Sequence, residues 1–337
     1  MDLNPSFEQR QLVEAFSTLY RGESTTERVR AAEATGFDPG LWEALAGAGG
    51  VEMALPLRAG GSGASLLDLA LVAEVHGRHL GSAPLVEAQV SARLLERLGG
   101  AAPVVADVAA GRQILTVALA PPGSGTARGV PAAMVADAVL VLDDRCVALV
   151  GLADARTPVH NLAALPLADV RLDADPLATF GGEEARRSFA TALDEWMALT
   201  ASALVGLGRR ALELAVDYAT TRQAFGAPIG SFQAVAHRLA DAATALDGAT
   251  LLSREAAWAS EGDPARASDL AAMAFAFAAE AAQVAGEWSL HVHGGYGFML
   301  EYDVQLYFRR AKGWAAVYSD PGRVYAGLGA RALARRA

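Results

Sequence analysis

Apolar positions recur at helical spacing through the first hundred residues and again after about position 182; the stretch between them is built of short β-branched runs. Near the start, Asp38 and Pro39 read as the N-cap and first residue of a helix ahead of LWEALAGAGG, whose glycines close it. A second helix start is signalled at Ser65, with Asp68 three residues on and the apolar stripe Leu67, Leu71, Val75 behind it. From about 113 the runs ILTVALA, AAMVADAVLVL and CVALVG are separated by PPGSGTARGVP and DDR, which carry turn chemistry. After Gly181 and Gly182 the pattern predicts long helices over roughly 183–224, 231–261 and 264–292, and another over 301–316. GAPIGS, EGDP and HGGYGF break them. Frequent alanines on these helices allow close approach and suggest a four-helix bundle that doubles as an oligomer interface. The expected fold is mainly α with a small middle β domain. Its expected domains are a helical one over 1–112, a β domain over 113–180 and a helical bundle over 181–337.

Composition narrows the function classes. Hydrophobic residues make up 53% of the 337 residues against 20% charged, yet the apolar stretches are Ala-rich and interrupted by charges, so no segment reads as a membrane span. The opening MDLNPSFEQRQ lacks the basic start and apolar run of a secretory signal, and the single Cys146 suits a reducing compartment; the expectation is cytoplasmic. A net charge of -10 argues against nucleic acid as the main partner.

Several apparent motifs carry no chemistry. GGSG at Gly60–Gly63 follows no strand and precedes no Lys-Ser/Thr pair, so it is a turn and not a phosphate loop. His76, His79, His291 and His293 lack the carboxylates or cysteines of a metal site, and no metal is expected. The nucleophile-elbow spacing is also missing. Two segments stand out. In TTRQAFGAPIGSFQAVAHRLAD a helix ends at Arg222 and a new one begins near Ser231, with Gln233 in its first turn. Free N–H groups at that start, the Arg222 fork, the Phe225 ring and the Gln233 amide together suit an anionic, heteroaromatic ligand. The second segment, HVHGGYGFMLEYDVQLYFRRAK, places the Gly294–Gly295 pair, which allows close backbone approach, ahead of a basic amphipathic helix. An ordinary inter-helix turn and a glycine helix end remain the bland alternatives.

In this order, and about 60 residues apart, the two segments resemble the acyl-CoA dehydrogenase family, as do FEQRQLVEAF and MALPLRAGGSGASLLDLALVAEVHGR in the N-terminal part. The resemblance covers most of the chain. It implies an N-terminal helical domain, a β-barrel-like domain and a C-terminal four-helix bundle. It also implies FAD as cofactor, an acyl-CoA substrate that loses its α-proton to a glutamate and its β-hydride to flavin, and an electron-transfer flavoprotein as reoxidant. By the same resemblance Arg222, Phe225, Gln233, Gly294 and Gly295 reach across a dimer interface to a neighbour's FAD, joined by His291 where the family often has glutamine.

Departures from the family pattern shape the functional expectation. The first β strand ends in Ala120, Pro121 and Pro122 where the family has Thr-Glu-Pro. Gly129 and Pro131 stand where it places a flavin-covering tryptophan and a hydrogen-bonding threonine. The Tyr-Glu-Gly turn that holds the base in one branch reads Tyr318, Ser319, Asp320, Pro321. For the other branch, counting back from Phe225 lands on Trp196; Glu195 is one residue, about 100° of helix, away. Glu195 and Asp320 are thus the weak candidates for a base. The chain is similar to the smaller subunits of actinobacterial heteromeric acyl-CoA dehydrogenases, which implies a catalytically weak subunit paired with a larger homologue. The alternatives are a self-sufficient homo-oligomer and a flavin-free structural or regulatory paralogue.

Overall fold

The computed structural model describes residues 3–152 and 156–335. Its first six helices are α1 (Phe7–Glu23), α2 (Thr26–Ala31), α3 (Pro39–Gly47), α4 (Leu66–Arg78), α5 (Leu85–Arg97) and α6 (Ala102–Ala109). Their starts follow the local signals. Asp38 accepts from the Leu41 N–H with Pro39 at N1, and Ser65 and Asp68 form a reciprocal capping box. A second such box, Ser6 with Gln9, opens α1.

Short strands follow: β1 (Leu115–Val117), β2 (Thr126–Val130), β3 (Ala138–Leu142), β4 (Cys146–Gly151), β5 (Arg156–Pro158), β6 (Ala168–Arg171) and β7 (Ala178–Gly181). They form two sheets, ordered β1-β3-β4-β7 and β2-β6-β5. Among the described residues only β1 and β3 pair in parallel; the other pairs are antiparallel. The expected barrel-like closure is therefore corrected to two open sheets. Strands of three to six residues are too short to wrap a closed ladder, and among the described residues no pairing joins one sheet to the other.

The rest is helical. α7 (Gly182–Thr221) runs for 40 residues and ends in a hairpin of β8 (Gln223–Ala224) and β9 (Ala227–Pro228). Then come α8 (Gln233–Gly262), α9 (Pro264–His293), α10 (Val304–Ala316) and α11 (Pro321–Ala334). α11 is an element the sequence pattern did not suggest. α7, α8, α9 and α10 pack as the bundle, and buried alanines of α9 such as Ala274, Ala278 and Ala282 bring the axes close. The N-terminal helices lock onto the bundle through glycines. A Cβ on Gly206 of α7 would lie 1.8 Å from the Glu74 carbonyl oxygen of α4, and one on Gly77 the same distance from that of Ala203. No helix among the described residues is long and apolar enough to cross a membrane.

Candidate functional site

The two sequence motifs meet at one end of the bundle. Ala215 and Ala219 of α7, Leu239 of α8 and Val292 of α9 form a small core there, separate from the main one, with Tyr218, Ile229 and Trp288 packed around it. Tyr218 stacks on His293 with ring centroids 4.3 Å apart, tying the end of α7 to the end of α9. α8 begins close to the expected Ser231, whose hydroxyl donates to the Pro228 carbonyl, 2.7 Å away, while Phe232 takes the N-cap position.

On this platform the predicted residues all face outward. Arg222, Phe225, Gln233, His291, Gly294 and Gly295 are exposed. The side chains of Arg222 and Gln233 have no hydrogen bond or ion pair among the described residues. Phe225 is 98% exposed and sits at φ +52°, followed by Gly226 at +79°, so the hairpin turn requires the left-handed region at both central positions. Asparagine or glycine suits that position; a phenylalanine there stores strain, on the order of 1–2 kcal/mol, while its ring lies in solvent, touching Phe232 edge-on. Gly294 has φ +62°, but Gly295 has no such conformational need, and a Cβ on it would meet nothing within 4 Å. Nothing inside this chain requires glycine at 295.

A second feature lies where α4, α5, α7, α10 and the strand segment converge. It is a cavity of about 60 Å³, walled largely by apolar groups such as Val86, Pro131, Ala132 and Leu167. Its polar lining comes from Glu87, Thr200, His76 and Arg310. Glu87 accepts from the Trp196 indole N–H at 3.2 Å, and burial raises its carboxyl above the ordinary range. Arg310 is buried without a carboxylate partner. It donates to the Leu80 carbonyl (2.5 Å) and the Ser82 hydroxyl (2.8 Å) and lies over Trp314, and burial brings it down to about 10. His76 shares a 2.7 Å hydrogen bond with Tyr20; burial, then the charge of Arg310, lowers it to about 3, so the ring is neutral. Periodicity alone did not flag Glu87. The available signal was a lone carboxylate within the otherwise uncharged run SAPLVEAQVSA.

The structure separates both weak base candidates from this cavity. Glu195 is 2% exposed and faces α5, where Arg97 holds it at 2.6 and 2.9 Å and Arg93 at 3.0 Å. Burial pushes its carboxyl up, but the two guanidiniums outweigh burial and hold it below the usual range. Its neighbour Trp196 is the residue that lines the cavity. Asp320 is exposed and caps α11, accepting from the Gly322 N–H at 2.9 Å. Pro131, in the cavity wall, has a carbonyl that accepts from the Thr116 hydroxyl at 2.6 Å, while Gly129, outside the lining, has its N–H bound to Asp169.

Models of the acyl-CoA dehydrogenase N-terminal and C-terminal domains match residues 6–102 and 187–316. Acyl-CoA dehydrogenase IpdE2 of Mycolicibacterium smegmatis is 31% identical, with 93% of this chain and 96% of that protein covered. The chain belongs to the acyl-CoA dehydrogenase family. Among solved structures, a chain of the ChsE4-ChsE5 complex from Mycobacterium tuberculosis superposes with a TM-score of 0.89 at 29% identity, covering 99% of both chains. A chain of the Tcur3481-Tcur3483 steroid ACAD also reaches 0.89, at 27% identity over 98% of this chain and 99% of that one. Acyl-CoA dehydrogenases are FAD-dependent oxidoreductases of acyl-CoA thioesters.

Proposed function

We propose that this chain is a subunit of a hetero-oligomeric, FAD-dependent acyl-CoA dehydrogenase, and that its open bundle end completes the FAD site of a larger homologous subunit. One observation carries this reading: Arg222, Phe225, Gln233, His291, Gly294 and Gly295 share one exposed end of the bundle, at a strained turn and a bare glycine that serve nothing within the chain. Arg222 would pair with the dinucleotide phosphates, Phe225 would stack on a heteroaromatic ring, and Gln233 and His291 would hydrogen bond at polar edges. When bound, FAD accepts the hydride removed from the acyl β-carbon. The surface on the chain's own side fits that cofactor poorly, because Gly129 has no ring to cover a flavin and Pro131 has neither a hydroxyl nor an N–H to donate to it.

The cavity supports a weak role in proton abstraction. Glu195 is spent on two arginines, and Asp320 on a helix cap. The likeness to a chain of the ChsE4-ChsE5 complex supports pairing with a second, different subunit, and the likeness to a steroid ACAD supports a bulky acyl-CoA as the substrate of the assembly. An electron-transfer flavoprotein completes the scheme as reoxidant.

Flavin absorbance decides the matter. The lone chain is expected to purify colourless, and coexpression with the larger subunit to yield a yellow complex with about one flavin per pair of subunits. Arg222→Ala is expected to lower that flavin content without changing the lone chain's melting temperature. A lone chain that is yellow, stoichiometric in flavin and active refutes the proposal.

A further inference from the structure

The cavity is small for the reaction its family performs. At about 60 Å³ it has room for a few water molecules, at ~10–15 Å³ each, where ligand sites usually offer ~300–1,000 Å³. Its walls show why. Trp196 fills the position on α7 to which one branch of the family assigns its base, and three neighbours fix its ring: the Glu87 carboxyl at 3.2 Å, Phe275 at 5.8 Å between centroids and Tyr318 at 6.0 Å. Trp314 lines the cavity as well. Its ring stacks on His76 at 5.9 Å and lies beneath the Arg310 guanidinium. Two large aromatic side chains thus take up space that an acyl chain would need, Trp196 held by a hydrogen bond to Glu87 and Trp314 by ring contacts with His76 and Arg310.

We propose that Trp196, pinned by Glu87, seals the acyl cavity of this subunit, so that the acyl-CoA thioester is bound by the neighbouring subunit alone. The inference rests on the shared-site reading and assigns its division of labour to one residue pair. Glu87 suits this task better than catalysis. Its carboxyl is buried away from any cation, burial favours the neutral form, and its contact is the indole it holds. Removing the indole would free a volume on the order of the ~150 Å³ that admits benzene in an engineered core cavity, enough for several methylenes.

Calorimetric titration of the full chain with CoA and with octanoyl-CoA isolates the acyl contribution, because the nucleotide part is common to both. The wild-type chain is expected to bind octanoyl-CoA no more tightly than CoA, including the case in which it binds neither. Trp196→Ala is expected to prefer octanoyl-CoA by about 30-fold or more, as three or so methylenes leave water. Trp196→Met, which keeps an unbranched apolar side chain, guards against misfolding and is expected to show a smaller preference of the same sign. A wild-type preference of about tenfold, or folded Trp196 variants with no gain, overturns the seal. Flavin content reads the parent proposal separately. A colourless lone chain that already prefers octanoyl-CoA removes the seal and spares the shared FAD site; a yellow lone chain without acyl preference does the reverse.

Discussion

Replacing Glu195 by glutamine separates a structural carboxylate from a catalytic one. The side chain is buried and held by Arg97 and Arg93, both themselves largely shielded, so glutamine leaves two guanidiniums without their counter-charge. Removing one partner from such a buried cluster costs about 3–5 kcal/mol, against a total stability on the order of 5–15 kcal/mol. The expected signature is a fall in melting temperature of roughly 5–10 °C at pH 7. Its pH dependence has a definite sign. The carboxyl is held below its ordinary value, so its contribution is complete above that value and disappears as pH drops through the folded-state one. The gap between wild type and Glu195→Gln should therefore narrow in acid. Thermal unfolding followed by circular dichroism across pH 3–8 measures both. A variant that melts within about 1 °C of wild type at pH 7 refutes the clamp, and loss of turnover in the assembled complex with that unchanged stability would restore Glu195 as a base.

Asp194, one residue earlier, has the opposite sign: burial first, with Glu195 and Asp269 adding repulsion, pushes it up to about 6 from an ordinary 3.8. Its stabilising contribution is complete below the ordinary value and lost as pH rises through 6, so Asp194→Asn should be more stable than wild type above pH 6, by up to about 3 kcal/mol, and indistinguishable near pH 3 in urea titrations. Gly206→Ala drives a methyl into the Glu74 carbonyl and should destabilise the chain by about 1–3 kcal/mol or more, whereas Gly295→Ala, facing open space, should leave lone-chain stability unchanged while weakening flavin retention in the complex. Phe225→Asn relieves the left-handed strain and should raise lone-chain stability by about 1 kcal/mol, again at the expense of flavin in the complex.

The helices, their order and most of their starts were legible because they depend on neighbours in sequence. Ser65 with Asp68 and Asp38 with Pro39 carry their caps within four residues, and the structure places both caps as expected. The outward motif residues were legible for a related reason: each sits at a local break, where glycine or proline marks the chain. The cavity was not legible. Glu87 and Trp196 are brought together by the packing of α5 on α7, 109 residues apart, and no periodicity encodes which face of each helix meets the other. Glu195 misled for the same reason. A carboxylate one position from the expected place looks like a displaced base until Arg93 and Arg97, on another helix, are seen to hold it. α11 escaped because Asp320 and Pro321 were weighed as a vestige of a catalytic turn, although Asp followed by Pro is also the ordinary way to start a helix.

The two regions obey opposite rules, and the contrast supports a division of labour between subunits. Inside, the charged groups each have partners within the chain: Glu195 two arginines, Arg310 two carbonyls and a hydroxyl, Glu87 an indole. Such satisfaction stabilises a core but leaves no group free to remove a proton. At the bundle end the Arg222 fork and the Gln233 amide have no hydrogen-bond or ionic partner among the described residues, the Phe225 ring touches only the Phe232 edge, and the turn between them is strained. A chain that removed the α-proton itself would need, beside such outward groups, a carboxylate in the cavity free of these partners. The groups this chain leaves free are therefore turned outward, which is the arrangement the proposed shared site requires.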